Sequence, residues 1–228
     1  CGSSSQTFKV YQQPQNGDFL LIAEGKASNV ATESIHCSMI SWNIFEASGS
    51  IIMDLPDHRV TAEKILKLLI DFGIAIDIIG HRFVHGGDLF DQTTKIEIDI
   101  LKKLEESQKF APIHNPNSLS VVKVCIKLLP DIPQFVSFDT LFHKEMPLSS
   151  KLYAIPLELS EKYAFRKYGF HGLSYRYISD RTSQILARPL ETIKLIICHL
   201  GTGGSSIVAI KNGKSIDTSM GYSPLSGL

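Results

Sequence analysis

The stretch Leu195-Ile196-Ile197-Cys198-His199-Leu200-Gly201-Thr202-Gly203-Gly204-Ser205-Ser206, continued by the alternating run 207–210, constrains the fold more than any other part of the chain. A β-branched apolar run, a glycine turn and a second apolar run predict a buried hairpin whose turn is bare of side chains. With no Cβ at Gly201, Gly203 and Gly204, backbone N–H groups can approach an anion directly, and Thr202, Ser205 and Ser206 add hydroxyl donors. The same glycines also suit a plain turn, so this stretch alone does not choose phosphate binding.

At 228 residues and 43% apolar content the chain can bury a sizeable core. Lys plus Arg and Asp plus Glu each total 23, which gives no global field to attract nucleic acid or an anionic membrane. Any anion site must be local. No apolar run reaches the roughly 20 residues of a membrane span, and no charged leader is visible, so a cytoplasmic, membrane-free protein is expected. Cys1, Cys37, Cys125 and Cys198 are scattered without a C-x-x-C pair, which suggests neither a disulfide framework nor zinc.

In chain order, Gly-Ser-Ser-Ser at position 2 leads into strand-like runs at 8–11 and 19–23, so Ser3 and Ser5 offer a second phosphate-facing turn or a frayed terminus. A strand is expected over 34–42, a helix over 57–72 closed by Gly73, and a buried strand over 74–79. That strand delivers Gly80-His81-Arg82-Phe83-Val84-His85-Gly86-Gly87 to its C-terminal end, where ligands sit in α/β folds. Arg82 offers a fork of donors for carboxylate or phosphate. A helix over 93–108 precedes Ala111-Pro112-Ile113-His114-Asn115-Pro116, in which Asn115 is the expected N-cap of the next helix. His114 then lies beside a helix N-terminus, whose partial positive charge favours neutral imidazole or a nearby anion.

A short strand at 134–138 ends in Asp139, placed either to hold magnesium or water beside phosphates or to cap a turn. A short helix over 156–164 is followed by Tyr168-Gly169-Phe170-His171-Gly172-Leu173-Ser174, with His171 just ahead of a helix over 174–186. The hairpin follows, and Gly213 turns the chain into a third strand ending near 219. Alternating strands and helices argue for α/β, and the change to consecutive strands after 193 divides the chain into lobes at 1–150 and 151–228.

Seven segments carry a resemblance in order along nearly the whole chain: Gly-Ser-Ser-Ser at 2, His-Arg-Phe-Val-His-Gly-Gly at 81, Ala-Pro-Ile-His-Asn-Pro at 111, Phe-Asp-Thr-Leu-Phe-His at 138, Tyr-Gly-Phe-His-Gly-Leu-Ser at 168, His-Leu-Gly-Thr-Gly-Gly-Ser-Ser at 199 and Asp-Thr-Ser-Met-Gly-Tyr-Ser-Pro-Leu-Ser-Gly-Leu at 217. The chain resembles the acetate kinase family of the sugar kinase, actin and Hsp70 superfold. The resemblance implies an α/β actin-like ATPase (ribonuclease H-like) lobe with a mixed sheet and flanking helices, plus the opening strands of a second similar lobe. It implies phosphate exchange between ATP or ADP and a short-chain carboxylate or its acyl phosphate, with Mg²⁺ or Mn²⁺, in a homodimer.

Carried over by motif position, Arg82 would hold the carboxylate or the transferring phosphoryl group, His171 would donate to that group, Asp139 would support the metal and His114 would shape the site. Ser3, Ser5, His199, Gly201, Thr202, Gly203 and Gly204 would face the nucleotide phosphates. Val84, Ile113, Phe170 and Pro224 would form a small apolar pocket for acetate. One methylene is worth about 1–3 kcal/mol, so propionate stays an alternative, as do a butyrate kinase and a non-catalytic member of the superfold.

The chemistry agrees independently, because a carboxylate needs charge cancellation rather than a general base to attack phosphorus. The sequence departs from the family pattern at Thr7, where a Lys is usual, at Thr202, usually Asn, and at Tyr175, usually His. The second active-site Arg and the adenosine-binding glycines of the family would lie beyond Leu228, so an incomplete nucleotide site, and inactivity of these 228 residues alone, are expected.

Overall fold

The computed structural model describes residues 2–15, 17–32, 37–201 and 204–228. The described chain packs as two compact units, one formed by residues up to 81 with 95–135 and the other by 82–94 with 136–228. These packing units cut the chain elsewhere than the division at 150/151, because the chain crosses between them inside three strands.

The first unit opens with an antiparallel meander of β1 (Ser5–Gln12), β2 (Leu20–Ser28), β3 (Met39–Ile44) and β4 (Ala47–Ile52), in that spatial order. The register Phe8↔Gly25, Gly25↔Trp42 and Trp42↔Gly49 sets Gly25 between two aromatic neighbours and Gly49 beside one. A Cβ on Gly25 would meet the Phe8 ring at 2.5 Å, so the aromatic side chain fills the space that glycine leaves. Alternation gives the sheet one apolar face, where Ala23, Ala27, Ile40 and Ile44 join Leu55, Ile65 and Leu69 in a single core. Helix α1 (His58–Asp71) supplies the last two, and Asp57 caps it by accepting from Val60 N at 2.6 Å. Gly73, at φ +75°, ends it as expected.

β4 is a strand that the sequence reading did not contain, and β3 begins at Met39 rather than 34; residues 34–36 lie outside the described residues. The strand expected over 74–79 instead runs as β5 (Ile79–Phe83). Ile74 is buried in the core without pairing, and the ladder starts where Ile79 N donates to Pro133 O at 3.0 Å. The helix expected over 93–108 is three pieces: the short strand β6 (Thr94–Lys95), helix α2 (Ile98–Glu106) and a 3-10 turn, Ser107–Phe110. β-branched Thr93, Thr94 and Ile96 favour extended backbone, and Ile96 N donates to Gln134 O at 2.8 Å. Helix α3 (Asn115–Leu128) packs on α1 through Ala62, Leu66, Val124 and Cys125. Its cap is His114, not Asn115, whose buried amide reaches back to donate to Ser107 O at 2.9 Å.

β7 (Gln134–Phe138) lies between β5 and β6. Asp139 N donates to Phe83 O at 3.1 Å, so β5 and β7 run the same way and end side by side. The second unit continues with helices α4 (Leu148–Lys151), α5 (Leu157–Tyr163) and α6 (Gly172–Leu186). An antiparallel sheet follows, β8 (Lys194–His199), β9 (Ser206–Lys211) and β10 (Lys214–Thr218), with β9 central. The consecutive strands expected after 193 are therefore present. Only one face of the hairpin is buried: Ile197, Val208 and Ile210 pack with Tyr175 of α6, while Ile196 on the edge strand is exposed. Asn212 and Gly213, both at positive φ, make the tight β9–β10 turn.

Candidate active site

Two strand ends in the second unit bring an Arg and an Asp together. Arg82 is carried on β5, and Asp139 follows the last residue of β7. Arg82 Nε donates to Asp139 Oδ1 at 3.2 Å and Oδ2 at 3.1 Å, and Nη2 donates to Oδ2 as well. Asp139 is 3% exposed, whereas the Arg82 side chain is 44% exposed. The carboxylate is thus a buried anchor, and the guanidinium presents its far edge outward. Burial pulls the Arg82 pKa down, but the Asp139 hydrogen bonds and charge outweigh it and leave it raised.

Asp139 also fixes the start of α6, because its carbonyl accepts from Gly172 N at 2.9 Å. A Cβ at residue 172 would lie 2.2 Å from that oxygen, so only glycine allows the approach. His171 caps the helix in the left-handed region at φ +59°, an uncommon conformation for a residue with a Cβ. Its Nδ1 lies 2.8 Å from Ser206 Oγ, which also bonds the Tyr175 hydroxyl. The His171 ring stacks on His199, with centroids 3.9 Å apart and planes at 21°, and His199 Nδ1 lies 3.0 Å from Ser174 Oγ. Burial lowers the His171 pKa; the His199 and Arg82 charges lower it further, and Asp139 opposes them. A neutral imidazole at this position can donate a hydrogen bond without adding charge.

The glycine turn leaves β8 beside this stack. A Cβ on Gly201 would come within 3.9 Å of His199 Nε2, and one on Gly204 within 3.9 Å of His171 Cε1. Gly204 sits at φ +130° and donates to Gly201 O at 3.2 Å. Thr202 and Gly203 lie outside the described residues. Arg82, Asp139, His171, His199, Gly201 and Gly204 therefore form one linked neighbourhood. Of the four pocket residues, Val84 and Phe170 are buried in this unit, Pro224 is exposed there, and Ile113 belongs to the other unit, where it is 68% exposed.

The remaining expected residues are in the first unit. Ser5 opens β1 opposite Ser28, and Gly2 N donates to Ser5 O at 2.8 Å, closing a tight serine-lined turn that includes Ser3. Buried His58 holds this turn through Nε2 and Gly2 O, 2.9 Å apart. His114 stands at the N-terminus of α3. Thr7 faces Lys26 across the β1–β2 ladder, and Lys9 is paired with Glu24 at 3.1 Å.

Sequence reasoning passed over His58, Tyr175 as a hydrogen-bonding group, and Ser206 as more than a turn donor. Ser206 was readable in part, since period-2 alternation sets it on the same face of β9 as buried Val208 and Ile210. Among the described residues no group of three His, Cys, Asp or Glu side chains is placed to hold a metal ion, and no helix is long and apolar enough to cross a membrane.

A family model described as the Acetokinase family matches residues 1–228. The chain is 43% identical over 235 residues to an acetate kinase of Thermoanaerobacterium thermosaccharolyticum, covering 100% of this chain and 57% of that protein. Among solved structures, an acetate kinase of Porphyromonas gingivalis matches with TM-score 0.85 at 37% identity, over 98% of this chain and 56% of that one. A propionate kinase of Francisella tularensis matches with TM-score 0.88 at 36% identity, over 100% of this chain and 57% of that one. The chain thus spans 57% of the length of the curated relatives it matches.

Proposed function

Because the chain belongs to the acetokinase family and shares the actin-like ATPase fold of its solved relatives, we propose that the protein carrying it phosphorylates acetate with ATP, reversibly, to give acetyl phosphate. The single observation that carries this reading at the level of chemistry is the half-exposed Arg82 guanidinium anchored on buried Asp139, with His171 and the glycine turn in the same neighbourhood.

Two anions must be brought together for this reaction, and the attacking carboxylate needs no base. Arg82 offers its outer edge to the carboxylate or to the equatorial oxygens of the passing phosphoryl group, while Asp139 keeps the guanidinium from swinging. His171 offers a neutral N–H to the same oxygens. Gly201, Thr202, Gly203 and Gly204, with His199 beside them, receive the nucleotide phosphates, and Ser3 and Ser5 supply hydroxyls from the first turn. In the second unit the reading assigns the methyl group to Val84, Phe170 and Pro224; Ile113 and His114 keep the roles that the resemblance implies for them.

Asp139 fits a supporting role for Mg²⁺ or Mn²⁺. Its Oδ1 keeps one lone pair beyond that given to Arg82, and one carboxylate is the usual protein share when phosphates and water complete the shell. When bound, the metal would neutralise charge on the nucleotide phosphates. The reading includes lobes at 1–150 and 151–228, a homodimer and a cytoplasmic setting. Propionate is the second substrate reading, favoured by the propionate kinase among the structural neighbours.

Trapping acyl phosphate as hydroxamate, with ATP and acetate, propionate or butyrate, tests the proposal on the complete protein. Acetate is expected to give the highest kcat/KM; no product from any of the three overturns it.

A further inference from the structure

We propose that Tyr175 and Ser206 fix the tautomer of His171, holding the ring proton on Nε2, and so act as positioning residues of the candidate site. What that proton is used for rests on the function proposed above; where it sits does not.

His171 caps α6 and Tyr175 follows four residues later, so the two side chains share one face of the helix. Both meet the hydroxyl of Ser206, the first residue of β9. Tyr175 and Ser206 are fully buried. Among the described residues, the Tyr175 hydroxyl has Ser206 Oγ as its single hydrogen-bond partner, and a buried phenol proton left without an acceptor is costly. The phenol therefore donates to Ser206 Oγ.

A serine hydroxyl carries one proton, and its other partner is His171 Nδ1 at 2.8 Å. Accepting from both partners would leave the proton of buried Ser206 without an acceptor among the described residues, so Ser206 donates there, Nδ1 accepts through its lone pair, and the neutral ring keeps its proton on Nε2. The opposite polarity, Nδ1–H to Ser206 and Ser206 to Tyr175, strands the phenol proton. The stack on His199 and the capping conformation at φ +59° hold the ring plane while the hydroxyl chain sets which nitrogen donates. Nε2 is then a fixed donor for an anionic oxygen.

The test is long-range ¹H–¹⁵N correlation of the imidazoles in the complete protein labelled with ¹⁵N-histidine, at a pH where the rings are neutral. The His171 signals are identified by their loss in His171→Gln. Wild type is expected to show the Nε2–H pattern, and Ser206→Ala and Tyr175→Phe a mixture of both tautomers. Tyr175→Phe is nearly isosteric, so it reports even if Ser206→Ala fails to fold. In the acyl phosphate assay, Ser206→Ala should lower kcat by about tenfold with KM for acetate within about twofold. An Nδ1–H wild type, or an unchanged Nε2–H pattern in both variants, overturns the assignment. The expected NMR pattern in a protein that makes no acyl phosphate overturns the proposed function and leaves the tautomer assignment standing.

Discussion

Arg82 engages both carboxylate oxygens of Asp139 through one side of its guanidinium, with Nε 3.2 Å from Oδ1 and 3.1 Å from Oδ2, and among the described residues its Nη1 has no partner. A charge held in this way is oriented before any ligand arrives. Lysine keeps the charge but lacks the planar fork, so Arg82→Lys should lower kcat in acyl phosphate formation by about 10²-fold, the scale of one lost transition-state donor. Asp139→Asn should lower it also, by freeing the guanidinium to rotate. Wild-type rates in both variants would remove the pair from the chemistry.

The contact between Asp139 and Gly172 makes a separate demand on stability. A Cβ at residue 172 would lie 2.2 Å from Asp139 O and 2.8 Å from Phe142 Cβ, neither of which can swing aside as a flexible chain end could. Gly172→Ala should push α6 away from the strand end and cost about 1–3 kcal/mol, as overpacking does. Urea unfolding gives the number. A midpoint equal to wild type would mean that α6 shifts freely.

How far the sequence could be read followed from how local each cause was. Asp57, Gly73 and Gly213 act through their own backbone neighbours, so the ends of α1 and the β9–β10 turn were legible. Asp139 was legible as a strand-end residue because it directly follows Phe138, and Arg82 because it follows the run ending at Ile79 by three positions, although the strand itself extends through it to Phe83. What defeated the reading was packing. Residues 74–78 are apolar apart from Asp77, and only Ile74 and Ile76 join the core while Ile78 is exposed, which copies the pattern of a strand without forming one. The region 93–108 holds helical spacing, yet β7 captures its first residues by hydrogen bonding. No spacing rule foretells that Ser206 meets residues 31 and 35 positions away, because that contact exists only once α6 lies against β9.

His58 ties the first turn to α1. The Gly2 carbonyl can only accept, so Nε2 of His58 is the donor across 2.9 Å, and burial lowers the pKa of the ring against the pull of the Gly2 and Ser5 carbonyls. If Ser3 and Ser5 face nucleotide phosphate, His58→Leu should raise KM for ATP several-fold with a smaller change in kcat. His58→Gln, which keeps an N–H donor at similar reach, should recover most of the loss. An ATP KM unchanged in His58→Leu would separate this turn from nucleotide binding.

Two other buried histidines make the second unit sensitive to acid. Gly87 N donates to His85 Nδ1 at 2.9 Å, so that nitrogen holds a lone pair. His143 donates from Nε2 to the Phe170 carbonyl at 3.0 Å and accepts at Nδ1 from the Ser215 hydroxyl at 2.9 Å. Burial lowers both rings to about 4, aided at His85 by the Arg166 charge. A histidine whose folded pKa lies below its unfolded value binds fewer protons folded than unfolded, so its contribution is whole above about 6.5 and is lost as pH falls toward 4. Each ring can account for up to about 3 kcal/mol across that window, the equivalent of a shift from 6.5 to about 4. Urea midpoints should therefore hold steady from pH 8 to 7 and fall steadily between 6.5 and 4.5, above the range where ordinary carboxylates titrate. His143→Gln keeps an N–H donor for Phe170 O and has no proton to gain, so its midpoint should fall less steeply over the same interval. A wild-type profile that is flat from 6.5 to 4.5 would show that these rings are hydrated in solution.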